Sequence, residues 1–202
     1  MTHLHEIVLG NTGEGDPIAA KSPATIVVAN NRIDVTGTPG QRWGGSWAIL
    51  IAGNLNVDEV RIENNDVTKR GEGWGIGLSG ANMRITGNTF SFEEHNGKYT
   101  LGAVTIGGYP LLAGKAMGPS LANSVFKDNT FEGKVSDHAM FFMPGGRGFA
   151  NASSGNRFDM GDSLISLGAK TTLTLSQEMT DNEFTGKTGK VVNNTKNGDN
   201  KY

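Results

Sequence analysis

The amino-acid sequence predicts an all-β solenoid of about six stacked coils, on three observations. One short phrase recurs six times: ANNRI at 29–33, ENNDV at 63–67, ITGNTF at 85–90, KDNTF at 127–131, SGNRF at 154–158 and TDNEF at 180–184. A second phrase lies between its copies, alternating apolar residues at period two and then meeting glycine or another breaker. No stretch carries a convincing helical period.

The first phrase reads as strand, corner, strand. Its copies align on Asn31, Asn65, Asn88, Asn129, Asn156 and Asn182. Two positions on stand Ile33, Val67, Phe90, Phe131, Phe158 and Phe184, all apolar. Three positions back stand Val28, Ile62, Ile85, Phe126, Ser153 and Met179, apolar except for the serine. Each Asn follows Asn30, Asn64, Gly87, Asp128, Gly155 or Asp181, residue types that tolerate turns. The aligned Asn side chains can hydrogen-bond from coil to coil, each Asn itself being able to take left-handed backbone.

The second phrase reads as a half-buried strand: WAILIAG (47–53), WGIGLSG (74–80), GAVTIGG (102–108), HAMFFMPG (138–145) and SLISLGA (163–169). Ile49/Ile51, Ile76/Leu78, Val104/Ile106, Met140/Phe142 and Ile165/Leu167 are expected to point inward. The spacings between aligned Asn residues are 34, 23, 41, 27 and 26. The short ones define a coil of roughly 23–27 residues, and the long ones are coils with insertions. The helix is expected to span 1–192, with a polar tail at 193–202.

Composition agrees. With 202 residues, 30 of them Gly, and no Cys, the chain has room for a core. It carries no disulfide framework, thiolate zinc site or thiol nucleophile. A formal charge of −2 supplies no basic field for nucleic acid. No apolar run approaches the ~20 residues of a membrane span. The start MTHLHEIVLG lacks the pattern of a signal peptide, and both ends read as cuts through a longer architecture. A left-handed β-helix would need strict six-residue periods. A β-sandwich would need more hairpin turns than Asn96-Gly97 and Asn197-Gly198 provide.

On these corners, over about residues 24 to 192, the chain resembles the right-handed parallel β-helix of pectate-lyase-like proteins, whose stacked corners carry Asn ladders. The resemblance implies a carbohydrate-active protein that binds and processes an acidic or capsular polysaccharide, as lyase, epimerase or hydrolase. Phage tailspike β-helices belong to the same comparison. They imply the alternative of a non-catalytic structural or glycan-binding segment, and a location outside the cell or on a virion.

Insertions point to where such chemistry would sit. TGTPGQRWGGSW (36–47), TKRGEGW (68–74) and SFEEHNGKYTLG (91–102) are expected to stack on one edge. Trp43, Trp47 and Trp74 are candidates for stacking on sugars, although Trp47 and Trp74, at equivalent positions, would equally stack on each other. Elimination on a uronate needs a base and a cation that neutralises the carboxylate, for which His95, Lys98, Tyr99, Arg42 and Arg70 are candidates. Hydrolysis needs two carboxylates, available from Glu72 with Glu93 or Glu94. A second cluster, SDHAMFFMPGGRG, offers His138 behind Asp137, with Arg147 past the strand end. GNTGEGDPI (10–18) and Asp or Glu at coil edges raise calcium as a ligand. His3 and His5 read as incidental. The alternate face of the second strand (Ala48/Leu50, Gly75/Gly77, Ala103/Thr105) is small and apolar, suited to homotrimer packing or to cover by PLLAGKAMGP.

Overall fold

A computed structural model of the chain describes residues 7–10, 18–19, 25–37, 39–40, 46–52, 55–56, 58–78, 82–106, 124–142, 151–165, 177–180, 183–188 and 196–197. In chain order the strands are β1 (Ile7–Gly10), β2 (Ile18–Ala19), β3 (Thr25–Ala29) and β4 (Arg32–Thr36). Then come β5 (Trp47–Ala52), β6 (Leu55–Asn56), β7 (Glu59–Glu63), β8 (Asp66–Arg70), β9 (Trp74–Leu78), β10 (Met83–Thr86) and β11 (Thr89–Glu93). The remainder are β12 (Thr100–Ile106), β13 (Val125–Lys127), β14 (Thr130–Gly133), β15 (Val135–Phe142), β16 (Asn151–Ser154), β17 (Arg157–Ile165), β18 (Gln177–Thr180), β19 (Glu183–Thr188) and β20 (Lys196–Asn197).

They form a right-handed parallel β-helix. Three parallel sheets run along its axis: β1-β5-β9-β12-β15, β20-β18-β16-β13-β10-β7-β3 and β19-β17-β14-β11-β8-β4. β2 and β6 pair separately. The six strands of the last sheet mark six coils. β20 falls within the stretch read from sequence as a tail.

The corner between the seven- and six-stranded sheets is the repeated phrase. At Asn30, Asn64, Gly87, Asp128 and Gly155 φ lies between 54° and 66°, so left-handed backbone falls on the residue before each ladder Asn. Among the described residues the ladder Asn residues themselves, Asn31, Asn65, Asn88, Asn129 and Asn156, are not left-handed, contrary to the reading of their sequence. Their task is hydrogen bonding. Asn31, Asn65, Asn88 and Asn129 each donate backbone N–H and side-chain Nδ2–H to the Oδ1 of the next Asn along, at 2.9–3.1 Å. The second Nδ2–H of Asn65, Asn88, Asn129 and Asn156 reaches back to the carbonyl of Val28, Ile62, Ile85 or Phe126, one coil behind. The amides of Asn65, Asn88 and Asn129 therefore each tie three coils. Asn65, Asn88, Asn129 and Asn156 are buried, which makes that pairing obligatory.

Inside, Ile33, Val67, Phe90 and Phe131 stack as one buried column. The backbone register continues from Phe131 to Phe158 and Phe184. The rings of Phe90 and Phe131 lie 5.0 Å apart at 11°. A fully buried side chain of this size contributes about 1.5–3 kcal/mol.

Alternation breaks in the five-stranded sheet. Ala48 and Ala103 join the main core beside Ile49 and Val104. Trp47, Leu50, Trp74 and Leu101 form a second buried cluster. A Cβ at Gly77 would meet the Trp47 ring at 2.6 Å, and one at Gly75 the Phe92 ring at 2.8 Å. The small apolar face read as exposed is thus buried at Ala48, Leu50, Gly75, Gly77 and Ala103. PLLAGKAMGP, expected to cover it, lies outside the described residues.

Asn88→Ala removes the acceptor of two Asn65 N–H groups and leaves the Ile62 carbonyl without its side-chain donor. A loss of about 1–3 kcal/mol is expected, read as a lower urea midpoint at unchanged slope.

Candidate functional site

The edge between the six- and five-stranded sheets is built from short connections. Residues 71–73 join β8 to β9, residues 94–99 join β11 to β12, and Lys134 alone joins β14 to β15. They are stacked: Gly71 N–H donates to the Glu93 carbonyl and Leu101 N–H to the Gly73 carbonyl. Arg70 and Glu93 stand on strands, not on loops.

Residues 94–99 make a hairpin finger. His95 and Lys98 exchange both backbone hydrogen bonds at 2.9 and 3.0 Å. Asn96 and Gly97 both have positive φ, as a two-residue hairpin turn requires. Glu94 accepts from Gly97 N–H at 3.0 Å and from the Tyr99 hydroxyl at 3.1 Å. That second bond, together with the carboxylate charge, raises the Tyr99 pKa. The Asn96 amide lies 3.0 Å from His95 Nε2, and Lys134 Nζ lies 4.9 Å over the Tyr99 ring. Glu94, His95, Lys98, Tyr99 and Lys134 are thus gathered at one point of the edge.

Arg70 is held between carboxylates, with Asp34 on one side and Glu93 at 2.7 Å on the other. Its pKa is raised, chiefly by the hydrogen bond to Asp34. Glu72 bonds to Gly40 N–H. Trp47 and Trp74 are 3% and 5% exposed and stack on each other at 5.4 Å and 14°. Trp47, Trp74, Gly102 and His138 form one backbone column. The side chain of His138, and Arg42, Trp43 and Arg147 entirely, lie outside what the structure describes, as do residues 11–17 of the calcium-like segment. Among the described residues no group of three His, Asp or Glu is arranged to hold a metal.

Two features escaped sequence reading. The first is an open groove of about 460 Å³ lined by Ser91, Phe92, Glu93, Glu132, Gly133 and Asp159. Ser91, Glu132 and Asp159 are register partners on adjacent strands. Ser91 donates to Glu132 at 2.7 Å, and Arg157 to Asp159 at 3.1 Å. Gly133 has φ 99°, and a Cβ there would meet the Phe92 carbonyl at 2.2 Å. Each of the three polar residues stands three positions after a corner Asn, the signal that marks the column.

The second is Lys69, 0% exposed, inward by alternation from Val67. Its Nζ donates to the Glu72 carbonyl at 2.7 Å, Ser46 Oγ at 3.1 Å and the Arg70 carbonyl at 3.3 Å. Those three acceptors match the three donors of an ammonium. Gly37 leaves the room, since a Cβ there would lie 2.8 Å from Nζ and 1.7 Å from the Glu72 carbonyl. The amine fastens the 71–73 corner to the start of β5. Burial pushes its pKa down from 10.5 to about 8.

No family model, curated protein or solved structure matches the chain.

Between about pH 8 and 10.5 the unfolded chain holds the Lys69 proton that the folded chain has released, so stability from this group rises with pH. The rise is absent below that window and complete above it. In urea unfolding from pH 7 to 11, the stability of the natural chain relative to Lys69→Met is expected to grow by on the order of 3 kcal/mol.

Proposed function

We propose that this chain is a carbohydrate-active β-helix that binds an extended polysaccharide along the outer face of the six-stranded sheet and cleaves it by hydrolysis in the groove at Ser91, Glu132 and Asp159. The supporting observation is the register of Glu132 with Asp159, which sets two carboxylates on neighbouring strands of an open groove. Neighbouring strands are about 4.8 Å apart. Retaining glycosidases hold their two carboxylates about 5–5.5 Å apart, one as acid and one as nucleophile. Ser91 supplies a hydroxyl for positioning beside them.

Electrostatics divides the surface. Carboxylates at the groove favour stretches of the glycan that offer hydroxyl or amino groups. Lys98, His95 and Lys134 at the finger can take the carboxylates of an acidic or capsular glycan. Elimination is less well served. Arg70 is already engaged by Asp34 and Glu93, and the phenol of Tyr99 is held protonated by Glu94. Such an activity belongs outside the cell or on a virion surface.

A second reading, a structural or glycan-binding segment without turnover, is favoured by the burial of the Trp47–Trp74 pair and by the internal pairing within the finger.

The test is incubation with a panel of acidic and neutral polysaccharides, with and without calcium, following reducing ends and ultraviolet absorbance together. Reducing ends without absorbance are expected, with Glu132→Gln and Asp159→Asn each slowing their release by about 10²–10⁴-fold. An absorbance rise would mean β-elimination and transfer the chemistry to His95, Lys98 and Tyr99. Binding without turnover would establish the second reading.

A further inference from the structure

The outer face of the seven-stranded sheet carries a charge arrangement opposite to that of the groove face. Val60, Ile62, Met83 and Ile85 fill the core, so alternation turns Glu59, Arg61 and Glu63 of β7 and Arg84 and Thr86 of β10 outward. Arg61 and Arg84 are register partners on neighbouring strands. Like charges set directly opposite each other destabilise a sheet. One carboxylate serves both. Glu59 Oε1 accepts from Arg84 Nε at 2.6 Å, and its Oε2 lies 3.4 Å from Arg61 Nε. The share is unequal, because Arg61 Nε is buried and makes no hydrogen bond among the described residues. On the groove face the ratio is reversed, since Arg70 alone is held by two carboxylates.

We propose that Arg61 and Arg84 form a binding site for a sulfate ester group carried on a glycan. The site lies on a different sheet from the groove and does not depend on hydrolysis there. Glu59 is met at Nε by both guanidiniums, which leaves the Nη1–Nη2 end of each fork to a ligand. Among the described residues no Nη of either arginine makes a hydrogen bond. Neighbouring strands are about 4.8 Å apart, so the two forks stand within reach of one tetrahedral group.

Charge and shape select the ligand. Two guanidiniums against one carboxylate leave one positive charge in excess. In the next row Glu63 and Lys127, opposite in sign, flank Thr86, and Lys127 also lies 3.5 Å from Asp128. A sulfate ester brings one negative charge and three terminal oxygens, enough for both forks at once. A carboxylate brings the charge but only two oxygens, which a single fork occupies bidentately. A phosphate monoester brings nearly two charges, more than the site neutralises beside Glu59. A phosphodiester again has only two free oxygens. The formal charge of the chain, −2, supplies no general attraction for a polyanion, so binding has to come from a local site.

Affinity electrophoresis of the intact chain through gels holding dextran, carboxymethyl dextran or dextran sulfate tests this, because only the anionic group changes. Dextran sulfate is expected to retard the chain, and the other two are not. Arg61→Gln and Arg84→Gln are each expected to weaken binding about tenfold, as the loss of a hydrogen bond between charged groups does. Both side chains are about half exposed, at 41% and 58%, so these variants leave the core untouched. Lys127→Gln removes the same charge from the same face outside the site and is expected to change nothing. No retardation by dextran sulfate, equal retardation by carboxymethyl dextran, or a loss in Lys127→Gln as large as in Arg61→Gln would each overturn the proposal. Sodium sulfate, followed by calorimetry, is expected to bind more weakly than the polymer; equal affinity would make the free ion the ligand and overturn the glycan assignment.

Discussion

The whole architecture depends on one bifurcated acceptor, the Asn Oδ1 that takes a backbone N–H and a side-chain N–H from the coil before it. A corner between two sheets leaves backbone groups that neither sheet can satisfy, and inside the stack no water is at hand to satisfy them. A side chain that both accepts and donates, and is short enough to stay at the corner, solves this once per coil. Aspartate could not donate, glutamine would overreach, and serine could not bond forwards and backwards together. The left-handed residue before each Asn bends the chain so that the amide meets its neighbours.

Much of this was legible in sequence because it is periodic. Asn with an apolar residue two places on gives corner and core together, and counting from it yields sheet order and register. What stayed hidden lay where the count was not carried far enough. Position three after the corner collects Ser91, Glu132 and Asp159 into one groove, and position four buries Lys69. The tryptophans were harder. Alternation from Ile49 and Ile76 sets Trp47 and Trp74 on the inner side, but a break at Ala48 turns them into a separate cluster. No pattern in the sequence announces that break. The hairpin at Asn96-Gly97 was visible as a turn, but the convergence of Glu94, Tyr99 and Lys134 depends on the coil above.

Lys69 shows how this scaffold treats charge. An ammonium with no carboxylate beside it is costly in a core, and three well-placed oxygens only partly offset the cost. The arrangement nevertheless fixes the connection from which Glu72 extends to Gly40. A charged group spent inside thus orders polar groups outside. The exposed face follows the opposite rule, since Arg70 shared by Asp34 and Glu93 contributes little to folding but sets where the sheet surface is neutralised.

The unequal coils carry one more consequence. Successive rungs of the ladder are separated by 34, 23, 41 and 27 residues, yet the rung itself is the same each time. Closing a loop costs only about 0.6 kcal/mol more for each doubling of its length. The difference between the shortest and longest coil is therefore smaller than a typical single hydrogen bond, about 1 kcal/mol. The entropy of closure places almost no limit on what can be spliced between two corners, so the edge of the helix is free to change its loops while the spine stays as it is.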